Sequence, residues 1–163
     1  MSVNQPTQRR QASLPHAVDA WFAWFDGSAL PNPGRIGIGA LLRGPQGQVV
    51  EISRRAGEGS SSEAEYLALI ALLEAALPHR PPQLLIHGDS QVVIDDLKPA
   101  PKGKSSAKGL EALRARALEL IAQLGGAEVV TVRWVPRHRN PDADRLSQAA
   151  VRPAAAAQPS APT

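Results

Sequence analysis

Four carboxylates stand where the sequence predicts that strands or helices begin or end: Asp26, Glu65, Asp89 and Asp144. Asp26 follows a short apolar and aromatic run, residues 21–25, which predicts a buried strand. A carboxylate buried against such a strand is costly unless a cation or hydrogen bonds compensate for the lost water. Four acids that met at one end of a mixed sheet would repel one another unless they shared divalent cations. The acid set therefore predicts a metal site.

The same acids also have ordinary structural explanations. Residues 62–65 match a capping box in which Glu65 would serve the start of a helix. Asp89 and Asp144 lie where acids face the positive end of a helix dipole. Because these positions are far apart along the chain, their spacing does not show that they converge in space. Both interpretations stay open on the spacing alone.

The available ligand types restrict which metal such a site would hold. Carboxylate oxygens are hard ligands that suit Mg²⁺ or Mn²⁺. The chain has no cysteine, which excludes disulfides and thiolate ligands and is compatible with a reducing cytoplasm. Zinc is disfavoured because the histidines lack the paired spacing of zinc ligands; they are His16, His79, His87 and His138.

Composition indicates one globular domain. The chain has 163 residues, of which 43% are hydrophobic and 20% charged, and this suffices for a single sizeable core. No apolar run approaches the roughly 20 residues of a membrane helix, and the first residues lack the apolar segment of a secretory signal. We therefore expect a cytoplasmic protein without membrane contact. The net charge of +3 slightly favours a polyanionic partner.

The two ends of the chain lack a core pattern. Residues 1–17 are polar and predict a disordered arm, for which the functional alternative is a tail that touches nucleic acid. Residues 153–163 are rich in Ala and Pro and predict a disordered tail. The ordered domain is expected to span residues 18–152.

The sheet is predicted to have an antiparallel and a parallel part. Gly27 and the Pro-rich segment after it indicate a tight turn that ends the first strand and leads into an antiparallel meander. Gly37 and Gly39 mark a strand that another element approaches closely. A later strand, short helix and strand require a crossover, which makes this part parallel. The predicted strands are residues 21–25, 36–43, 48–54, 83–87 and 128–135.

Four helices are predicted between and after these strands. The first follows a break at residues 57–61, and its wide apolar coverage indicates a central helix that lies on the sheet. Asn140 and Pro141 suit the N-cap and first position of the last helix. A basic connection with four lysines covers residues 98–108. The predicted helices are residues 62–77, 91–97, 109–124 and 141–151.

Several short motifs follow one another along the chain: DGSALPNPG at 26–34, GIGA at 37–40, AEY at 64–66, GDS at 88–90, and WVPRH at 134–138 followed by ADRL at 143–146. Taken together, they resemble type 1 ribonuclease H. The resemblance covers about residues 21–151, in the family's order. It implies an α/β fold, with a five-stranded mixed sheet of order 3-2-1-4-5 and helices on both faces. It also implies hydrolysis of the RNA strand of an RNA:DNA hybrid with two Mg²⁺ ions, or Mn²⁺ in their place.

The resemblance assigns roles residue by residue. Asp26, Glu65, Asp89 and Asp144 fall on the family's four catalytic, metal-binding carboxylates. His138 falls on its mobile-loop histidine, which is thought to help product leave; a solvated loop histidine is the alternative. One ion would activate a water and the other would stabilise the 3′-oxyanion, which leaves 5′-phosphate and 3′-hydroxyl ends.

Substrate recognition is where the chain departs from the family pattern. Telling RNA from DNA requires contact with the 2′-hydroxyl. The family uses a Thr-Asn-Asn-like segment before the glutamate, where this chain has Ser60, Ser61 and Ser62. Serine hydroxyls lack the paired geometry of an amide, and the basic connection lacks the tryptophan-bearing protrusion of some family members, so we predict weaker binding. The predicted substrate-binding set is completed by Asn32, Lys102 and Lys104.

Two hypotheses from different classes follow. The first is an active hybrid-specific nuclease that acts as a monomer without an obligate protein partner. The second is a catalytically weak member that binds nucleic acid as a module. A DNA-directed nuclease on the same fold is a more distant third. The intact acid set favours the first.

Overall fold

The computed structural model describes residues 19–99 and 109–152. Both predicted disordered ends lie outside these residues, as do Lys102, Lys104 and Lys108. None of the described helices has the length and hydropathy needed to cross a bilayer. The strands are β1 (Ala20–Leu30), β2 (Gly34–Arg43), β3 (Val49–Gly59), β4 (Gln83–Gly88) and β5 (Val130–Trp134), and the helices are α1 (Ser61–Ala76), α2 (Gln91–Leu97), α3 (Glu111–Leu124) and α4 (Pro141–Val151).

The strands form one mixed sheet in the order β3-β2-β1-β4-β5. β2 pairs antiparallel with β1 and β3, whereas β4 pairs in parallel with β1 and β5. The predicted order, the antiparallel meander and the parallel crossover are all confirmed. β1 is the central strand and belongs to both parts of the sheet.

Helices cover both faces of this sheet. α1 is buried on most of its surface, and Tyr66, Leu69 and Leu73 are fully inaccessible to solvent. A helix that is apolar nearly all round must be covered on all sides, and here the sheet lies on one side and α3 on another. α4 packs on the opposite face, against β1, β2 and β3. The predicted central helix is confirmed.

Gly27 does not end β1, which continues to Leu30. A Cβ on Gly27 would lie 2.1 Å from the carbonyl carbon of Ala64. This glycine therefore permits α1 to pack directly on β1, and the prediction mistook a close contact for a turn. β3 likewise runs to Gly59, so the predicted break at residues 57–61 is wrong. Smaller differences are that β2 begins at Gly34, α3 begins at Glu111, and β5 spans only Val130–Trp134.

The N-terminus of α1 has a different cap from the one predicted. Ser60 Oγ accepts a hydrogen bond from Glu63 N at 3.2 Å, and Ser60 N donates to Glu63 Oε2 at 3.3 Å. Ser60 and Glu63 thus form the capping box, and the box predicted for Ser62 and Glu65 is wrong. Because the helix begins at Ser61, Glu65 is not engaged at the helix start.

Candidate active site

Asp26 lies inside β1, yet at the edge of the parallel part of the sheet. Pairing of β1 with β4 ends at Phe25 and Gly88, whereas its pairing with β2 continues through Asp26 and Gly39. Asp26 is therefore the first β1 residue beyond the end of β4, and it is only 5% exposed. Its predicted place after the first strand is wrong. It nevertheless stands at the carboxyl end of the parallel strands, where α/β folds locate their sites.

Glu65 reaches the same edge from α1. The close contact between Gly27 and Ala64 brings this part of α1 against β1. Glu65 is 8% exposed, and its Oε2 is buried without a hydrogen-bond partner among the described residues. A buried carboxylate oxygen without a partner is costly unless a cation or a water satisfies it.

Asp89 follows β4 directly and is held by Asn140. The Nδ2 atom of Asn140 donates to Asp89 Oδ2 at 3.2 Å and to the carbonyl oxygen of Phe25 at 2.9 Å. Asn140 and Pro141 occupy the predicted N-cap and first positions of α4, but the Asn140 side chain makes no capping bond. The amide instead links Asp89, which follows β4, with Phe25 in β1.

The three carboxylates form one cluster. Ligand oxygens of Asp26, Glu65 and Asp89 all lie within 4.8 Å of one another. Burial raises the pKa of Asp26 from 3.8 to about 6; the hydrogen bond from Ser147 opposes this rise and the charge of Asp89 adds to it. Burial, followed by the charge of Asp26, raises the pKa of Glu65 well above its ordinary range. The full charge of this cluster is therefore unfavourable without a counterion.

The donor set fits a hard divalent cation. The cluster offers only oxygen ligands, and a cation would satisfy Glu65 Oε2 and relieve the mutual repulsion. No histidine belongs to the cluster among the described residues. His79 packs on the Trp21 ring with centroids 4.8 Å apart, and His87 stacks on Trp24 at 5.4 Å. The cluster therefore suits Mg²⁺ or Mn²⁺ better than Zn²⁺.

The fourth predicted acid lies outside this cluster. Asp144 is in the first turn of α4, as predicted, and its side chain is 33% exposed. Its Oδ1 lies 3.4 Å from Nη2 of Arg137, although its charge still raises the pKa of Asp26. His138 is exposed on the 3₁₀ turn that precedes α4. The structure thus gathers three of the four acids and pairs the fourth with an arginine.

The predicted substrate-binding residues that the structure describes meet at the start of α1. Asn32 Nδ2 donates to Ser61 Oγ at 3.2 Å, and Ser61 N donates to Asn32 Oδ1 at 3.1 Å. Ser60 uses its Oγ for the helix cap, and Ser62 beside it is half-buried. Ser61 and Glu65 are four residues apart and so lie on one side of the helix. The Asn32–Ser61 pair is therefore one helical turn from Glu65.

Sequence reasoning missed the residues that support the acids. Ser147 is fully buried, and its Oγ donates to Asp26 Oδ2 at 2.5 Å. Asn140 donates a hydrogen bond to Asp89, and Arg137 contacts Asp144. The available signal was the close approach predicted at Gly39, which is confirmed: a Cβ there would lie 2.4 Å from the backbone of α4.

A family model described as Reverse transcriptase-like matches residues 24–150. The chain belongs to this family. It is 36% identical over 130 residues to Ribonuclease HI of Halobacterium salinarum, in an alignment that covers 79% of this chain and 63% of the relative. It is 33% identical over 132 residues to a bifunctional protein of Mycobacterium tuberculosis, covering 80% and 35%. The chain thus spans less than two thirds of the length of these curated relatives.

Solved ribonuclease H structures share the fold of this family member. The crystal structure of the Halobacterium salinarum RNase H1 has a TM-score of 0.69 at 34% identity, covering 80% of this chain and 96% of that chain. The N-terminal RNase H domain of the Mycobacterium tuberculosis protein has a TM-score of 0.71 at 29% identity, covering 82% and 99%. An RNase H1 crystallised in complex with an RNA/DNA hybrid has a TM-score of 0.68 at 26% identity, covering 80% and 96%. The resemblance to type 1 ribonuclease H is confirmed.

Proposed function

We propose that this protein is a ribonuclease H, an endonuclease that hydrolyses the RNA strand of RNA:DNA hybrids. The observation that carries the proposal is the cluster of Asp26, Glu65 and Asp89, whose ligand oxygens lie within 4.8 Å of one another. The family resemblance assigns catalysis to the same three positions. The relative named Ribonuclease HI and the RNase H1 crystallised with a hybrid add support.

In this proposal Asp26, Glu65, Asp89 and Asp144 hold two Mg²⁺ ions, with Mn²⁺ as the alternative. When bound, the ions would activate a water and stabilise the departing 3′-oxygen, so that the products carry 5′-phosphate and 3′-hydroxyl ends. The chain contributes a cluster of ligands assembled by packing before substrate arrives, because β1, α1 and the end of β4 each supply one acid. Ligands held in place in advance need little reorganisation during the reaction.

The serine segment is the proposed site of contact with the RNA strand. Ser61 Oγ accepts its hydrogen bond from Asn32, so the Ser61 hydroxyl hydrogen stays available for donation to a 2′-hydroxyl. Ser60 and Ser62 would flank this contact. Lys102 and Lys104 would bind phosphates of the DNA strand.

The remaining roles concern turnover and organisation. His138 would aid product release, since it is exposed on the turn before α4, next to the arginine that pairs with Asp144. We propose residues 18–152 as the catalytic domain and a monomer as the acting form. The cysteine-free composition is compatible with a reducing cytoplasm as its compartment.

A second candidate function is a nucleic-acid-binding module with weak catalysis. The observation that favours it is the use of the serine segment for local structure. Ser60 caps α1, and Ser61 is paired with Asn32, so fewer polar groups remain to read the substrate. Such a module would bind the hybrid and leave it intact.

A substrate panel tests the proposal. Labelled RNA:DNA hybrid, double-stranded RNA and duplex DNA of one sequence are incubated with the protein in Mg²⁺ or in Mn²⁺. We expect cleavage only of the RNA strand of the hybrid, with 5′-phosphate ends. Glu65→Gln keeps the shape of the side chain and removes a ligand charge, so its cleavage rate should fall by about 10³-fold, and it controls for contaminating nuclease. If the protein binds the hybrid but cleaves it with neither Mg²⁺ nor Mn²⁺, the result contradicts the proposed nuclease activity and supports the binding module.

A further inference from the structure

A chain of hydrogen bonds leads to Asp26 from the side of the sheet that α4 covers. Gln148 Nε2 lies 3.1 Å from Ser28 Oγ, and Ser28 Oγ lies 2.9 Å from Ser147 Oγ. Ser147 Oγ lies 2.5 Å from Asp26 Oδ2. The four residues come alternately from α4 and β1, so the chain of bonds joins these two elements at successive points.

Two glycines of β2 allow a short side chain to make this contact. In the register of the sheet, Gly39 lies beside Asp26 and Gly37 lies beside Ser28. A Cβ on Gly39 would lie 2.4 Å from Ser147 N, and one on Gly37 would lie 2.5 Å from the Ser147 carbonyl oxygen. The backbone of α4 therefore rests directly on β2, and the Ser147 hydroxyl reaches β1.

The donors in this chain all point toward Asp26. A side-chain amide nitrogen can only donate, so Ser28 Oγ accepts from Gln148 and its own hydrogen is free for Ser147 Oγ. Ser147 then has one hydrogen and two acceptors, Asp26 Oδ2 at 2.5 Å and the Asp144 carbonyl oxygen at 3.0 Å. The carboxylate is nearer and charged, which makes it the stronger acceptor. Successive bonds of this kind polarise and strengthen one another.

We propose that Ser147 is a positioning residue that holds the Asp26 carboxylate in one orientation for metal binding. The inference rests on the proposed function, in which Asp26 is a metal ligand. Partners that hydrogen-bond to a metal-binding carboxylate orient it, and their loss costs roughly 10- to 100-fold in metal affinity or activity.

Binding of Mn²⁺ alone, without nucleic acid, tests this role. The free ion is followed by its electron paramagnetic resonance signal during titration. Ser147→Ala should raise the Kd for Mn²⁺ about tenfold. Ser28→Ala, which acts one bond further from Asp26, should raise it about threefold, because only the polarisation of the last bond is lost. Ser147→Cys leaves no cavity, because sulfur is somewhat larger than oxygen, but the thiol donates weakly, so this variant should also bind Mn²⁺ about tenfold more weakly.

Ser53→Ala is the matched control. Ser53 Oγ donates to the Leu146 carbonyl oxygen at 2.7 Å and so ties α4 to β3 without contact to a described carboxylate. Its loss should lower the thermal midpoint through the lost hydrogen bond. The Kd for Mn²⁺ should stay within about twofold of wild type, since the orientation of Asp26 is unaffected.

The outcomes separate this inference from the proposed function. An unchanged Kd in both Ser147 variants overturns the positioning role, and so does an equal loss in Ser53→Ala, which would indicate looser docking of α4. Because the readout is ion binding, it does not depend on cleavage. If the Ser147 variants bind Mn²⁺ more weakly as expected but the wild-type protein cuts no hybrid, the proposed function is refuted and the positioning role stays in place.

Discussion

The clustered acids and the fourth acid differ in what holds them. Asp26 and Glu65 are 5% and 8% exposed. The packing of β1, β4 and α1 brings their ligand oxygens and that of Asp89 within 4.8 Å of one another. Asp144 comes from α4, is 33% exposed, and contacts Arg137. The cluster is therefore assembled by the core, whereas the fourth acid is restrained by a surface ion pair that solvent weakens.

This difference shows where a cation has most to gain. The core holds like charges together against their repulsion, and burial and repulsion raise the pKa values of Asp26 and Glu65. A cation that enters the cluster relieves both effects. At Asp144 the carboxylate already has water and Arg137 as partners, so an ion must replace these contacts. We therefore expect the cluster to contribute most of the metal affinity and Asp144 to contribute a smaller part.

The largest expected contrast is in cleavage rate. Glu65→Gln removes a charge from the cluster and should lower the rate by about 10³-fold, since metal stabilisation of the transition state is worth several kcal/mol. Asp144→Asn should cost only about 10- to 100-fold, because three ligands remain assembled. Single-turnover cleavage of a labelled hybrid in Mg²⁺ measures both. Equal losses of cleavage rate in the two variants would show that the clustered acids and Asp144 do not differ in this way.

A smaller contrast is expected in the stability of the metal-free protein. The pKa of Asp26 is raised from 3.8 to about 6, so between these values the folded protein binds more protons than the unfolded chain. Its unfolding free energy therefore falls as pH rises through this window. Asp26→Asn removes the penalty and should be more stable than wild type at pH 8, by up to about 3 kcal/mol.

The pH dependence of that gain is the check. In EDTA, the thermal midpoint of Asp26→Asn should exceed that of wild type by about 5 °C or more near pH 8. The difference should be much smaller near pH 4, where Asp26 is protonated in the folded protein and partly protonated in the unfolded chain. Asp144→Asn is the comparison variant, and because its ion pair is exposed it should change stability by less than about 1 kcal/mol. A gain for Asp26→Asn that is the same at both pH values would show that its charge is not the cause.

The periodicity of the sequence predicted the helices and the antiparallel and parallel parts of the sheet, because these depend on which residues are apolar and where the chain must cross over. The strand order came from the family resemblance. The local sequence pattern failed at Gly27 and at Ser62 for a common reason. Gly27 looks like a turn residue, but it is needed for contact with α1. Ser62 looks like a cap, but Ser60 takes that position when β3 continues to Gly59. In both cases tertiary packing decides between two locally acceptable roles.

The acids were predictable from the family resemblance, whereas their partners were not. Ser147 belongs to no recognisable motif in the sequence, and its hydrogen bond to Asp26 joins positions 121 residues apart. Asn140 was expected to cap α4, and instead its amide bridges Asp89 and β1. These roles depend on distances between elements, which no local pattern encodes. Gly37 and Gly39 were the residues that pointed to the close contact with α4.

The most direct test of metal-dependent hydrolysis by the preassembled cluster compares cleavage and binding in Asp26→Asn. This change keeps the shape of the side chain and removes one negative charge near the substrate phosphates. We predict that Mg²⁺-dependent cleavage of a labelled RNA:DNA hybrid falls at least about 10³-fold, because a metal ligand is lost. Hybrid binding, followed in parallel by fluorescence anisotropy, should stay equal or become tighter. An Asp26→Asn variant that still cuts within about tenfold of the wild-type rate would contradict the account, since one lost factor of ten is only about 1.4 kcal/mol.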